Sequence, residues 1–172
     1  MSDAIKKLSL ENTFKINNNY SDFYKTTLNE FNNYHNLYDN GLTQKICAYS
    51  NVLMVWSFLS ILSCISFPIV SNCAIFCMFI LYGVYSNIHP SVGNKMISYL
   101  TCNYLLSYLL SLLYANHLFM ACITFTMSMG TIICSCSGYQ TLNTDLADGF
   151  SEFQESYLYI APLYSFTYVE NS

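Results

Sequence analysis

The sequence predicts an all-α integral membrane protein: four transmembrane or deeply inserted helices arranged as two hairpins, flanked by amphipathic cytosolic N- and C-terminal segments. Three observations carry this. Only 9% of the 172 residues are Asp, Glu, Lys or Arg while 53% are apolar, whereas a soluble domain carries about a quarter charged residues. From Ile46 through Thr144 the sole charge is Lys95. It splits that stretch into two blocks of forty-nine residues, and a helix of that length would run about 73 Å, more than twice the roughly 30 Å hydrocarbon core, so each block is expected to fold back.

Residues 1–45 hold five Lys and five acids and read as a cytosolic segment. After Ser21, a candidate N-cap, Tyr24, Leu28, Phe31, His35 and Tyr38 recur at helical spacing, a stripe suited to the membrane interface. No basic region leads into an apolar run and a small-residue cleavage site, so the first span is expected to serve as its own insertion signal. Asn19-Tyr20-Ser21 fits the glycosylation acceptor pattern, which a cytosolic segment leaves unused.

The first hydrophobic hairpin covers 46–94, with spans expected at about 47–66 and 70–88. Its fold-back is "SFPIVSN", where Pro68 disfavours helical geometry at Phe67, and Ser71 with Asn72 suits a turn or a cap. Residues 89–96 then form a polar loop, because Lys95 at a bilayer centre would cost roughly 2.5–3.5 kcal/mol. The second hairpin covers 96–140, with spans at about 97–115 and 118–138 and a turn at "YANHLF", where Asn116 and His117 interrupt a run rich in Leu, Tyr and Ser. Short turns make the helices of each hairpin antiparallel neighbours and leave their insertion depth open. An even number of spans puts both termini and the Lys95 loop on one side, with every lysine, and the positive-inside rule makes that side the cytosol.

The tail, 141–172, is acidic and aromatic. Leu142, Leu146, Phe150, Phe153 and Tyr157 form a stripe, with Asp145, Asp148, Glu152 and Glu155 between them, so a protein partner or solvent is expected beside it rather than anionic lipid. Beyond Pro162, "LYSFTYVENS" contains no prenylation box or retrieval signal.

Several function classes fall away. The chain has no Arg, so it lacks the dense basic surface that tracks a phosphate backbone, and no nucleic-acid partner is expected. The expected spans contain no Asp, Glu, Lys or Arg, which argues against an ion-coupled carrier. Asn72, Asn103 and Asn116 suit helix–helix hydrogen bonds or turns. All eight Cys lie between Cys47 and Cys136 and read as small packing residues. Cys73/Cys77 and Cys134/Cys136, with His89 and His117, are the only grouping that suggests metal ligands. Its spacing does not match a paired zinc signature, and Cys134 and Cys136 would not share a helix face. His117 suits a capping or interfacial role at a turn better than a proton relay or haem ligand. No nucleophile–base–acid set or glycine-rich phosphate loop is present, so no catalytic, cofactor or metal site is expected.

This organisation resembles the prenylated Rab acceptor family across about residues 31 to 153: a cytosolic segment, two hydrophobic hairpins around a short polar loop, and a polar tail. "YSNVLMVWSFLSIL", through Tyr49 and Asn51, is similar to the family's approach to its first span. Pro68 in "SFPIVSNCAIFCMFILYGVY" resembles its first fold-back, and Lys95 in "HPSVGNK" the basic residue that closes its central loop. "SYLTCNYLLSYLLSLLYA" resembles the third span, and Leu142 followed by Asp145 the acidic segment after the fourth. The family often ends its last span with a His-Ala pair and an arginine, where this chain has "CSCSGYQTL". The resemblance implies a non-enzymatic protein of the endoplasmic reticulum and Golgi that engages prenylated Rab-type GTPases or vesicle cargo and aids their membrane delivery. Bax-inhibitor-type proteins share a polar start and closely spaced spans, but usually have six or more spans with intramembrane acids. Alternatives from other classes are a membrane-shaping hairpin protein and a small subunit or uncharged pore of a larger membrane complex, for which homo- or hetero-oligomerisation is expected.

Overall fold

A long apolar stretch without internal charge satisfies its backbone most simply as helix, since every N–H and C=O then pairs within the segment. The computed structural model follows that rule. It describes residues 10–14, 22–36, 41–65, 72–140 and 146–171, with side chains left aside at 11–12, 36 and 133–158. Among the described residues there are helices and no strand: α1 (Leu10–Phe14), α2 (Asp22–Asn36), α3 (Gly41–Ser63), α4 (Cys73–Ile88), α5 (Pro90–Leu113), α6 (His117–Gln140) and α7 (Leu146–Asn171).

The helices α3 and α5 are long and apolar enough to cross a membrane, while α4 and His117–Ile132 of α6 are shorter apolar helices. The four overlap the expected segments, with α3 and α5 beginning six and seven residues earlier than expected. Their ends are set locally. Asn72 N-caps α4, its Oδ1 accepting from Ala74 N at 2.9 Å. His89 closes α4, its N–H donating to the Tyr85 carbonyl at 3.2 Å, and opens α5, its Nδ1 accepting from Ser91 N at 3.2 Å with Pro90 in the first turn.

That double cap corrects the reading of 89–96 as a polar loop. The connection between α4 and α5 is His89 alone, and Lys95 sits in the second turn of α5. Proline is pre-organised for a helix start, so "HPSVGNK" begins a helix where its polarity suggested a loop.

The pairing of helices also differs from two sequential hairpins. The most extensive contacts join α4 to α5 and α3 to α6; contacts within 46–94 and within 96–140 are slighter. A one-residue connection forces α4 and α5 into close antiparallel contact. A Cβ on Gly93 would press into the Ser86 side chain and lie 3.0 Å from the Ser86 Cα, so the two backbones approach where only glycine fits.

The terminal helices do not stand apart as free segments. Tyr24 and Phe31 of the N-terminal stripe are buried, Leu28 packs against them, and their neighbour is α7 rather than a membrane interface. Tyr38 lies outside the described residues, as do Asn19, Pro68 and Ser71. In α7, Ile160, Ala161, Leu163 and Tyr164 are buried in the same core, so the second half of the tail is a packing element. The acidic stripe from Asp145 to Tyr157 lies outside the described side chains. Helices α1 and α2 and the second half of α7 thus form a collar around one end of α3, α4 and α5.

Candidate functional site

The densest convergence of polar groups is where the collar meets the start of α5. The carbonyls of Thr13 and Phe14, in the last turn of α1, face the start of α5. Two α5 side chains take them: Ser91 Oγ donates to the Phe14 carbonyl at 3.0 Å, and Lys95 Nζ to the Thr13 carbonyl at 2.7 Å. Lys95 also pairs with Glu170 Oε1 at 2.6 Å, and its ammonium lies 5.5 Å from the Phe14 ring centroid. Asn171 Nδ2 donates to Thr13 Oγ1 at 2.7 Å. One lysine therefore ties α1, α5 and α7 together. Both ionic partners are partly exposed, so the pair itself contributes about 1 kcal/mol or less.

Beside this node an open groove of about 570 Å³ runs between α5 and α7. Tyr99, Cys102, Phe166 and Val169 line it with mainly apolar surface, and Lys95 and Glu170 stand at its rim. Its walls are rigid: Tyr99 packs edge-on to Phe166 with ring centroids 5.5 Å apart, and its hydroxyl meets Ser165 Oγ at 3.1 Å. Phe166 in turn stacks on Phe14 at 5.5 Å. The site joins an apolar slot to an ion pair whose two charges offset each other at the rim, a combination that suits an apolar chain with a polar head.

The collar holds a second polar cluster. Asn51 Nδ2 donates to the Tyr34 hydroxyl at 2.7 Å, and that hydroxyl lies 3.4 Å from Cys47 Sγ. Tyr34 and Tyr164 meet edge to face at 4.8 Å, and His35 Nδ1 lies 3.5 Å from the Tyr164 hydroxyl. Burial lowers the His35 pKa below its ordinary value and raises that of Tyr164. Both groups are held neutral, as an uncompensated charge in such a core would be costly.

The sequence-identified candidates are dispersed. His89 caps two helices. His117 is buried, with Nε2 3.4 Å from Ser107 Oγ and its ring edge-on to Trp56 at 5.9 Å, so it binds a side chain of α5 rather than turn carbonyls. Asn72 bridges helices by donating to the Tyr104 hydroxyl at 2.9 Å, whereas Asn103 donates to the Tyr99 carbonyl of its own helix. Cys73 and Cys77 are half-buried on α4, and Cys134 and Cys136 lie outside the described side chains. Among the described residues no three of His, Cys, Asp and Glu come together. Sequence reasoning missed the partners of Lys95 and the α7 wall of the groove. Ile160, Leu163, Tyr164 and Thr167 recur at i, i+3, i+4 and i+7, a helical signal for the buried face of α7 that leaves Phe166, Val169 and Glu170 to form the wall beside it.

Compared with protein-family models, with curated proteins and with solved structures, the chain matches none of them.

Proposed function

We propose that the chain is an integral membrane protein with four inserted helices, acting as a trafficking adaptor of the endoplasmic reticulum and Golgi that receives prenylated Rab-type GTPases or cargo. The observation that carries the reading is the groove between α5 and α7. Its volume lies within the roughly 300–1,000 Å³ of pockets that hold small apolar ligands, and burying an isoprenoid chain there gains about 0.8 kcal/mol per buried carbon unit.

Support for insertion comes from the outer faces. Leu105, Leu109, Leu112, Phe119, Ile123 and Met127 are exposed on α5 and α6, a surface that water would penalise. Hydroxyls on the same helices bond along their own backbone: Ser111 to the Tyr108 carbonyl at 2.7 Å, Thr124 to Met120 at 2.9 Å, Thr131 to Met127 at 2.8 Å. Lipid offers them no other partner. In this reading four insertions return the chain to its starting side, and the positive-inside rule favours the cytosol for that side, with the collar and Lys95 on it.

The test is capture. Proteoliposomes holding the chain retain a prenylated Rab-type GTPase and release the same GTPase without its lipid. Val169→Trp, which fills the groove, lowers retention by about tenfold, equivalent to 1.4 kcal/mol. Equal retention of the unprenylated form, or of both forms by Val169→Trp, sinks the reading.

A further inference from the structure

Helices α3 and α5 run about 34 and 36 Å, enough by length to cross a hydrocarbon core of roughly 30 Å. Length alone misleads, because the collar already surrounds part of each. Its lower edge is marked by hydrogen bonds into three helices: Asn51 to the Tyr34 hydroxyl at 2.7 Å, Tyr85 hydroxyl to the Tyr159 carbonyl at 2.8 Å, and Tyr99 to Ser165 at 3.1 Å. The collar faces water, since Asp22, Lys25, Thr26, Asn29, Asn32 and Asn33 form the exposed outer side of α2.

What remains below that edge is short. From Asn51 to Ile65 the rise is about 21 Å, from Tyr85 back to Cys73 about 18 Å, and from Tyr99 to Leu113 about 21 Å. Those lengths pass the bilayer midplane, at about 15 Å, and end roughly 10 Å before the far surface.

The fold-backs are built for that depth. Where α3 meets α4, Cys73 N donates to the Ile65 carbonyl at 3.1 Å, and Asn72 uses both ends of its amide, on Ala74 N and on the Tyr104 hydroxyl. Where α5 meets α6, His117 N donates to the Tyr114 carbonyl at 3.1 Å and its ring turns inward to Ser107. Among the described residues around these turns, the large outward side chains are Ile65, Leu112, Leu113, Tyr114, Leu118 and Phe119, with Ser111 and Asn116 exposed beside them.

We propose that the four helices form a wedge that enters from one side, fills the near leaflet, and stops inside the far one. Its partner is a bilayer whose near leaflet is expanded relative to the other, a convexly curved membrane. This rests on the insertion part of the proposed function and is independent of any GTPase.

Depth can be read from fluorescence, since Trp56 is the only tryptophan. It lies about 8 Å below Asn51. The double variant Trp56→Phe with Leu113→Trp moves the single reporter to the tip, about 6 Å beyond the midplane. In proteoliposomes with lipids brominated near the headgroup or near the chain end, it is quenched more by chain-end bromine. Helices that cross the bilayer put residue 113 at the far surface and reverse this order, and that reversal overturns the proposal. Release of the chain from membranes by alkaline wash overturns insertion itself, which separates the two failures. Narrower vesicles formed on reconstitution support the wedge; unchanged vesicle size with the reversed order counts against it.

Discussion

The two ends of the helix bundle are made of similar residues and organised oppositely. At the collar end, large aromatics point inward: Tyr34, Tyr85, Tyr164, Phe14 and Phe31 are among the most completely buried side chains. At the far end, Leu112, Leu113, Tyr114 and Phe119 point outward, with Leu113 73% exposed. Apolar content says little about which is core, because the solvent around an apolar side chain decides whether exposing it costs anything. Where α1, α2 and α7 supply cover, aromatics bury; where no helix does, apolar side chains face outward, an arrangement that the proposed insertion into lipid makes favourable.

That contrast can be broken most forcefully at Tyr164. Truncating this fully buried ring by Tyr164→Ala removes contacts to Phe31, Tyr34 and Tyr168 and is expected to cost about 3–5 kcal/mol, read as a large fall in melting temperature in detergent. Leu113→Ala, a deletion at the other end, should leave the melting temperature nearly unchanged. Equal effects from the two would dissolve the distinction between core and lipid face.

Gly93→Ala probes the bundle where α4 and α5 nearly touch. The added methyl group meets the Ser86 backbone, which cannot yield as a side-chain tip can, so a loss of about 1–3 kcal/mol is expected. Gly83→Ala, where a Cβ meets nothing within 4 Å, is the matched control and should be neutral or stabilising.

Smaller effects belong to the polar joints of the collar. Lys95→Met keeps the aliphatic stem and removes the bonds to Thr13 and Glu170; a loss of about 1 kcal/mol, reduced by high salt, is the expected reading in thermal unfolding. His35 gives a pH signature. Burial lowers its folded pKa from the ordinary 6.5, so the unfolded chain binds more protons there once pH falls below about 6.5, and stability drops in that window and recovers above it. His35→Gln should flatten that segment of the pH–stability curve.

Much of this was legible from the sequence and some was not, for reasons of distance along the chain. Caps and boundaries depend on neighbours a few residues away, and Asn72 and the four apolar segments were readable for that reason. The stripe of Tyr24, Leu28, Phe31 and His35 announced an amphipathic helix but not its cover, because the partner Tyr164 lies 129 residues beyond His35. The same limit hid Lys95, whose solitude suggested a solvated loop until Thr13 and Glu170 converged on it from both ends of the chain. The groove was invisible because only one of its two walls belongs to the hydrophobic block.

The junction at Lys95 also imposes an order of manufacture. Residues 13, 95 and 170 reach one point. In ribosomal synthesis the carbonyls of Thr13 and Phe14 meet their donors once α5 is made, while the Lys95 ammonium waits for Glu170. Helices α3 to α6 are thus complete while the collar is still open, and α7 closes it after them. A bulky fusion near Glu170 therefore strikes the closure while leaving the packing of α3 on α6 and of α4 on α5 intact.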